Sequence, residues 1–226
     1  MEDGLADVSA QCCSNHPSLA HLTDYIENTR ASFMVITART ILKTRFGDFQ
    51  VAYHKTKYGS AVSFSKGDIS IGTPVVRFNS ACLFGEAFHS LHCDCEHQLT
   101  ETMRLIKEND SGTIIYRYQE GRGIGLEKKI KAMEIERTQN MDTVEAFKKL
   151  GLKKSDYRNF KAEVQALKDL KSSKTIETFS GNPKKIKALE DAGYKITKIL
   201  SGKPSDFSPR AKKERAAKEK KMGYHY

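Results

Sequence analysis

Short β-branched and aromatic runs alternate with helical patterns through the second half of this chain. Residues 113–116 form such a run, and the apolar positions of residues 126–139 then recur at helical spacing. The same order returns later, with a strand pattern at 175–179, a helix pattern at 183–192 and a strand pattern at 195–200. Strands that alternate with helices build a sheet whose faces the helices cover, so the sequence predicts a layered α/β domain.

The first half of the chain carries further strand patterns. Phe49, Val51 and Tyr53 alternate with polar or small neighbours, which predicts a half-buried strand. Two more strand patterns lie at residues 61–64 and 75–78. The remaining helix patterns cover residues 97–108, 143–150 and 163–170.

These patterns divide the chain into three segments. Residues 1–40 are predicted to be an N-terminal extension with one short helix over residues 19–30. Residues 41–203 are predicted to form the domain. Residues 204–226 are predicted to be a basic C-terminal tail that is helical from about Arg210.

The formal net charge of +10 is concentrated near the end of the chain. A basic balance of this size is typical of proteins that bind nucleic acid, an anionic membrane surface or a polyphosphate. Lysine and arginine crowd residues 203–221, and this run predicts a solvated tail and not a binding face. No aromatic residue interleaves with the basic residues of 210–221, which argues against a nucleic acid partner.

The absence of a long apolar run and the number of cysteines both favour a protein of the cell interior. No apolar run approaches the length of a membrane span, so the sequence predicts a cytoplasmic protein with no membrane partner. Five cysteines, an odd number, are not typical of a secreted disulfide framework. Cys12 and Cys13 have no ligand spacing and are interpreted as spectator thiols.

The other three cysteines, Cys82, Cys93 and Cys95, offer three thiolates and no obvious fourth ligand in line. Structural zinc sites are usually closed by four protein ligands, whereas catalytic sites keep one position open for water. The cluster therefore predicts a zinc ion with a reactive water and a hydrolytic function. A distant histidine that closes the shell is the alternative.

Two further segments have the chemistry of an anion site. The glycine-rich loop of residues 120–125 lies between a predicted strand and a predicted helix, where the backbone can approach a phosphate. Arg122 in this loop offers a planar fork for phosphate, and the alternative is a tight turn with a surface arginine. Residues 182–185 form a well-made helix start with two cations. Asp156 and Arg158, taken alone, are typical of a surface ion pair.

Together these segments resemble the GTP cyclohydrolase II family. The resemblance is carried by Arg77 and by the blocks CLFGEAFHSLHCDCEHQL, YQEGRGIGLEKKIKA, DTVEA, KKLGL, DYR and NPKK, in unbroken order over residues 41–200 or so. It implies an α/β/α domain with a mixed sheet, a homodimer, and an enzyme that uses Zn²⁺ and Mg²⁺. The implied reaction opens the imidazole ring of GTP, loses C8 as formate, releases pyrophosphate and supplies the first intermediate of riboflavin synthesis.

The resemblance also implies roles for the matching residues. Cys82, Cys93 and Cys95 would hold the zinc whose bound water is the hydrolytic agent. Arg158 matches an arginine proposed as nucleophile at the α-phosphorus, and Asp156 matches the proton acceptor beside it. The positions that match substrate contacts are Arg77, Ser80, Gln98, Glu120, Arg122, Thr143, Ser180 and Lys185.

The chain departs from the family pattern at several positions. These are Asn79 and Ala81 before Cys82, Glu96 after Cys95, Tyr118 before the glycine loop, and the run Ser180-Gly181-Asn182-Pro183. Met133 stands where the family has tyrosine, and a thioether cannot donate the hydrogen bond that a phenol can. Our hypothesis is that ring opening survives while formate release is impaired, so that Met133 determines the product.

Two alternatives remain at this point. One is a paralogue that acts on a purine nucleotide in another pathway, such as pyrimidine catabolism or specialised metabolism, and keeps the formylamino group. The other is a non-catalytic module that binds zinc and a nucleotide. The sequence has no pattern for the second synthase domain that is sometimes fused to this family, which predicts a stand-alone form.

Overall fold

The structure is a computed structural model that describes residues 34–201 and 207–225. The helix predicted over residues 19–30 and the thiols of Cys12 and Cys13 lie outside the described residues. Within them the strands are β1 (Met34–Thr44), β2 (Gly47–Thr56), β3 (Gly59–Lys66), β4 (Val75–Ser80), β5 (Gly112–Arg117), β6 (Thr175–Phe179) and β7 (Lys195–Leu200). The helical segments are α1 (Leu83–Glu86), α2 (Cys95–Asn109), α3 (Glu120–Gly123), α4 (Leu126–Thr138), α5 (Thr143–Lys149), α6 (Lys161–Asp169), α7 (Pro183–Glu190) and α8 (Pro209–Met222).

The seven strands form one mixed sheet in the order β1-β2-β3-β5-β4-β6-β7. The pairs β1–β2, β2–β3 and β3–β5 are antiparallel, whereas β5–β4, β4–β6 and β6–β7 are parallel. Each predicted strand and helix within the described residues is present. The mixed α/β sheet implied by the family resemblance is therefore confirmed.

Helices cover both faces of the sheet. Side chains of consecutive strand residues point to opposite faces, and β4 shows this with Val75 and Val76. Val75 packs in a cluster with Ile106 of α2, and Val76 packs in a second cluster with Leu167 of α6 and Leu189 of α7. Because both faces are covered, β4 is apolar at successive positions and does not alternate.

The strand β2 differs from the predicted pattern at its second half. Phe49 is fully buried as expected, but Tyr53 is 37% exposed while Ala52 and His54 are buried. Phe49 belongs to the cluster under α2, whereas His54 lies close to Asp169 at the end of α6 on the other face. The buried face of β2 therefore changes along the strand, since a different helix covers each half.

The first strand lies at the edge of the sheet and crosses the boundary predicted at residue 40. β1 begins at Met34 and pairs with β2 in register, for example Thr40 with Val51. The side chains of residues 37–43 are exposed. An edge strand with this exposure needs no apolar alternation, which explains why alternation does not mark β1 in the sequence.

The basic C-terminal segment is not the solvated tail that its composition predicts. α8 begins at Pro209, close to the predicted start, and buries Ala211 and Ala217. Arg215 pairs with Asp94 at 3.3 Å. Further ion pairs join Arg210 to Glu136 and Lys221 to Asp142. Carboxylates of the domain neutralise these cations, and the helix packs on the domain as a result.

Among the residues that the structure describes, no helix combines the length and the apolar character that crossing a bilayer requires.

Candidate active site

A cleft opens at the carboxyl ends of the parallel strands. β4, β5 and β6 run in the same direction, so their carboxyl ends meet at one edge of the sheet. Ser80 at the end of β4, Gln119 after β5 and Ser180 after β6 all line this cleft. Its empty space, including the part open to solvent, is about 1040 Å³. This is the position at which α/β sheets commonly bind ligands.

The three predicted cysteine ligands meet on one wall of the cleft. Cys82 follows β4, Cys93 precedes α2 and Cys95 is the first residue of α2. Their sulfur atoms all lie within 4.8 Å of one another, and the Sγ atoms of Cys82 and Cys93 are 3.6 Å apart. No His, Asp or Glu of the described residues joins this cluster, so the alternative with a closing histidine is not supported there.

The surroundings of the cluster fit a metal ion. A Cβ atom added at Gly85 would lie 2.9 Å from the Sγ of Cys93 and 3.3 Å from that of Cys82, so the glycine makes room for the thiols to converge. Hydrogen bonds from Cys93 and Cys95, with the charge of Lys129 nearby, lower the pKa of the Cys82 thiol. Three converging thiols suit a thiophilic divalent cation and leave one coordination position open. The cluster can therefore hold a metal ion.

A buried polar network backs the cysteine wall. The guanidinium of Arg77 donates to Asn79 Oδ1 and to Gln98 Oε1, each at 2.8 Å. The amide of Asn79 in turn donates to Glu86 Oε1 at 2.8 Å, and the hydroxyl of Tyr116 donates to Glu86 Oε2 at 2.5 Å. Burial raises the pKa of Glu86. Asn79 thus connects Arg77 to Glu86, although the sequence showed it only as a departure from the family.

Sequence reasoning missed Glu86, which lines the cleft. The backbone N–H of Cys82 lies 3.4 Å from Glu86 Oε2, because the one-turn helix α1 brings these two residues together. A spacing of four residues between a ligand and an acid is the signal that could have pointed to it.

The glycine loop is a left-handed turn. Gly121 and Arg122 both have positive φ, 59° and 58°. The one-turn segment Glu120–Gly123 is therefore not a right-handed helix at these two residues. The guanidinium of Arg122 donates to Thr143 Oγ1 at 2.6 Å and lies 4.0 Å from the centre of the Phe147 ring. Arg122 lines the cleft, so the alternative of an ordinary surface arginine is wrong.

The loop also approaches the segment that carries Arg158. The N–H of Tyr157 donates to the carbonyl of Arg122 at 2.9 Å. A Cβ atom at Gly123 would lie 3.0 Å from the backbone nitrogen of Arg158, so this close approach requires glycine. The loop therefore brings Arg122 and Arg158, which are 36 positions apart by their numbering, to the same cleft.

Glu120 has a different position from the other predicted substrate contacts. It is not among the residues that line the cleft. Its carboxylate accepts from Lys129 Nζ at 2.8 Å and from the N–H of Leu83. Lys129 Nζ also lies 3.3 Å from the Sγ of Cys82. Glu120 thus reaches the cysteine wall through Lys129.

Asp156 and Arg158 form a buried two-point ion pair, and the surface pair predicted from the isolated motif is wrong. Arg158 donates through Nε to Asp156 Oδ1 at 2.9 Å and through Nη2 to Oδ2 at 2.6 Å. Burial works to raise the pKa of Asp156, but hydrogen bonds and charge from Arg158 bring it below its usual value. Arg158 lines the cleft and Asp156 lies behind it, because Tyr224 and Asn182 cover the pair.

The predicted helix start at residues 182–185 is confirmed. Asn182 caps α7 by accepting from the N–H of Lys184 at 2.9 Å, and Pro183 is the first helical residue. Lys185 is only 6% exposed, and its ammonium donates to the carbonyl of Phe78 at 2.6 Å. Burial, followed by the charges of Arg158 and Arg77, lowers its pKa well below the usual range.

Met133 lies on α4 and lines the cleft with its neighbours Ala132 and Glu136. Glu136 is buried and accepts from Arg210 of α8, and His92 Nε2 lies 3.1 Å from it. The thioether of Met133 is therefore a group that cannot donate a hydrogen bond, on the same helix as the buried carboxylate of Glu136.

The charges of the lining favour an anionic ligand. Cations outnumber carboxylates two to one, because the lining includes Arg77, Arg122, Lys129, Arg158, Lys185 and Lys218 but only Glu86, Glu136 and Glu214. Convergent guanidinium and ammonium groups are typical of phosphate sites. The cleft thus combines a cysteine cluster with convergent cations, and it holds every predicted site residue except Glu120 and Asp156 in its lining.

Comparisons with known proteins agree with this geometry. The family model of GTP cyclohydrolase II matches residues 34–201. "GTP cyclohydrolase-2" of Aliivibrio fischeri is 44% identical over 141 residues, which cover 62% of this chain and 69% of the relative. "GTP cyclohydrolase-2" of Archaeoglobus fulgidus is 40% identical over 159 residues, which cover 70% of this chain and 41% of the relative.

A longer relative is also similar. "Riboflavin biosynthesis protein RibBA" of Endomicrobium trichonymphae is 38% identical over 213 residues, which cover 92% of this chain and 51% of the relative. The chain spans about half the length of this curated relative. The matched family region contains the cysteine cluster, the glycine loop and the buried ion pair. The chain therefore belongs to the GTP cyclohydrolase II family.

Proposed function

We propose that this chain is a hydrolase that opens the imidazole ring of GTP and releases pyrophosphate, with Zn²⁺ on its cysteines and Mg²⁺ on the nucleotide. One observation carries the proposal: the cysteine cluster and the convergent cations open into the same cleft. A nucleoside triphosphate has a polyanionic end that the cations can bind and a base that can face the cysteine cluster. The names of the relatives support riboflavin biosynthesis as the pathway.

The metal end of the cleft depends on Cys82, Cys93 and Cys95. A zinc ion on such a site supplies Lewis acidity and lowers the pKa of water. The chain itself shapes this end through Gly85 and keeps the thiol of Cys82 acidic through hydrogen bonds and Lys129.

The phosphate end depends on Arg158 and Asp156. Burial works to lower the pKa of Arg158, but Tyr224 and Asp156 raise it above the usual value, so the guanidinium is charged in the free protein. For a guanidinium nitrogen to attack the α-phosphorus, a proton must move to Asp156, whose Oδ2 lies 2.6 Å from Nη2. The bond from the α-phosphorus to the departing oxygen breaks as the new bond forms, and pyrophosphate leaves. Water then breaks the phosphorus–nitrogen bond, the proton held by Asp156 returns to Arg158, and the product leaves as a 5′-monophosphate.

The other predicted contacts hold the nucleotide in this proposal. Arg122 and Thr143 act together, because the guanidinium already donates to the threonine hydroxyl at 2.6 Å. Glu120 supports the cysteine wall through Lys129. The cleft residues that we assign to substrate contact are Arg77, Ser80, Gln98, Arg122, Thr143, Ser180 and Lys185.

We further propose that Met133 decides how far the reaction goes. A tyrosine hydroxyl at this point of the wall can donate a hydrogen bond, and the thioether cannot. With Met133 in the wall, the product keeps its formylamino group, or loses it slowly. The Met133→Tyr variant is expected to increase formate release relative to pyrophosphate release. Complete deformylation by the wild type at the rate of pyrophosphate release contradicts the proposal.

The experiment that tests the function uses full-length protein with Zn²⁺, Mg²⁺ and GTP. Mass spectrometry identifies the pyrimidine product, and coupled assays measure formate and pyrophosphate. Cys93→Ser is expected to abolish turnover and metal content, and Cys13→Ser serves as the matched control. Binding of GTP without any product favours the non-catalytic module, and turnover of another purine nucleotide in preference to GTP favours the paralogue.

The assembly and compartment follow from the family as proposals. A homodimer is expected, which sedimentation of the purified chain at micromolar concentration measures. A cytoplasmic location is expected, which imaging of the tagged chain measures.

A further inference from the structure

The C-terminal segment contributes side chains to the cleft. Three residues of this segment, Glu214, Lys218 and Tyr224, belong to the lining. The matched family region ends at residue 201, so α8 and the residues after it lie outside that match. None of these three residues has been assigned a role by the sequence motifs above.

Tyr224 binds the same nitrogen of the Arg158 guanidinium, Nη2, that one carboxylate oxygen of Asp156 binds. Its hydroxyl accepts from Arg158 Nη2 at 2.9 Å and from Asn182 Nδ2 at 2.8 Å. Asp156 binds the same guanidinium through two further hydrogen bonds. A guanidinium whose Nε and Nη2 are fixed by three hydrogen bonds has one orientation toward the cleft.

The backbone fixes Tyr224 in this position. Gly223 ends α8 in the left-handed region with φ 66°, which turns the chain back toward the domain. The N–H of Tyr224 then donates to the carbonyl of Lys218 at 3.3 Å, and the N–H of His225 donates to the carbonyl of Gly181 at 3.0 Å. These two main-chain hydrogen bonds fix the backbone at Tyr224 and therefore the position from which its hydroxyl reaches Arg158.

Lys218 places a buried cation in the same cleft. The residue is only 8% exposed, and its ammonium pairs with Glu214 Oε1 at 2.8 Å. The other carboxylate oxygen, Glu214 Oε2, is buried with no hydrogen-bond partner among the described residues. Burial of an ion pair has a large desolvation cost, and a ligand that also binds the buried ammonium group can offset this cost.

The neighbours of Lys218 indicate that this ligand is an anion. Met222 of the same helix contacts Arg122, with 3.4 Å between Sδ and Nη1. α8 therefore borders the arginines that are assigned to the phosphates. An anion that reaches Arg122 and Arg158 lies in the same cleft as the Lys218 ammonium.

We propose that the C-terminal segment is part of the nucleotide site, with Lys218 as a binding residue for the polyphosphate and Tyr224 as the positioning residue for Arg158. This inference rests on the proposed function for the identity of the ligand. Lys218 acts on affinity, because it faces the bound anion. Tyr224 acts on turnover, because its hydroxyl binds the guanidinium of Arg158.

The first experiment measures binding and needs no turnover. Isothermal titration of full-length, zinc-loaded protein with inorganic tripolyphosphate gives the affinity of the anion site. Lys218→Gln is expected to weaken binding about tenfold, the size of one lost charge-assisted hydrogen bond. Lys220→Gln, an exposed lysine on the same helix, is the matched control and is expected to bind like the wild type.

The second experiment separates a positioning role from a structural one. Tyr224→Phe removes only the hydroxyl and is expected to lower kcat for GTP about tenfold while KM changes by less than about threefold. A merely structural role would reduce the folded fraction and the zinc content, which melting curves and metal analysis measure in parallel. Both are expected to stay at the wild-type level.

The outcomes distinguish this inference from the proposed function. Tripolyphosphate binding that is weakened by Lys218→Gln, in a chain that does not hydrolyse GTP, overturns the proposed function and leaves the binding role of Lys218 standing. Wild-type affinity in Lys218→Gln overturns the binding role. Wild-type kcat in Tyr224→Phe overturns the positioning role.

Discussion

Asp156 and Arg158 stand two positions apart, yet their side chains form a two-point ion pair inside the protein, with N–O distances of 2.9 and 2.6 Å. The geometry aligns the planar fork of the guanidinium with both carboxylate oxygens. The pair presents Arg158 to the cleft and keeps Asp156 behind it.

Asp156→Asn is expected to lower kcat by about a hundredfold or more, because the amide can neither accept the proton from Arg158 nor neutralise it. The pKa of Asp156 is lowered, so the carboxylate stays charged until the pH falls below its usual 3.8. The acid limb of the pH profile of the wild type is therefore not expected to come from Asp156. Stopped assays from pH 5 to 9 measure both effects. Asp191→Asn, which alters an exposed ion pair, is the control and is expected to keep wild-type kcat.

Gly85→Ala is expected to reduce the zinc content of the purified protein by more than about half. The new methyl group would lie 2.9 Å from the Sγ of Cys93, closer than real contacts allow, and would push the thiols apart. Metal analysis by mass spectrometry measures the content, and Leu83→Ala in the same one-turn helix is the control. Full zinc occupancy in Gly85→Ala would show that the cysteine wall yields to the methyl group.

Arg122→Lys is expected to behave as a disruptive change although it keeps the charge. Lysine has a single side-chain nitrogen, so it cannot donate to Thr143 with one nitrogen while a second faces the cleft. It also loses the stacking of the guanidinium on Phe147. We expect kcat/KM for GTP to fall about tenfold to a hundredfold, measured by steady-state kinetics. Arg137→Lys, at an exposed position of α4, is expected to leave kcat/KM unchanged. An unchanged kcat/KM in Arg122→Lys would reduce its role to that of a point charge.

Binding of tripolyphosphate is expected to take up protons through Lys185. Burial and the charges of Arg158 and Arg77 lower its pKa, so the amine in the free protein holds its proton less firmly than an exposed lysine does. A polyanion beside the amine favours the charged form and raises that pKa, so the sign of the effect is uptake. Titration calorimetry in two buffers of different ionisation enthalpy, at pH 8, measures the number of protons. Lys185→Gln is expected to abolish this uptake and Lys187→Gln, an exposed neighbour, to preserve it.

A buried histidine away from the cleft gives a prediction for stability. Burial lowers the pKa of His54 below 6.5, against the opposing charge of Asp169. The unfolded chain therefore binds a proton that the folded chain refuses, and the free energy of unfolding falls as the pH drops below about 6.5. Urea titrations at pH 5.5 and 7.5 measure the difference. His54→Gln is expected to reduce it, and an equal difference in both proteins would assign the effect to other groups.

Much of the fold was accessible from local patterns. Short apolar, β-branched or aromatic runs place β4, β5, β6 and β7, and apolar residues at helical spacing place the helices between them. The same reasoning fails at β1, whose exposed edge carries no repeat. It also fails at Tyr53 of β2, where the covering helix changes from one face to the other.

The sequence by itself determined the ligand chemistry: the spacing of Cys82, Cys93 and Cys95, the glycine loop around Arg122 and the capped start of α7 are all local signals. Only the tertiary structure decided that the Asp156–Arg158 pair is buried and that α8 lines the cleft. The reason is physical. Tyr224 meets Arg158 across 66 positions, and Arg215 meets Asp94 across 121. A run of basic residues has the same composition whether it is solvated or paired, and only folding brings it to the carboxylates that neutralise it.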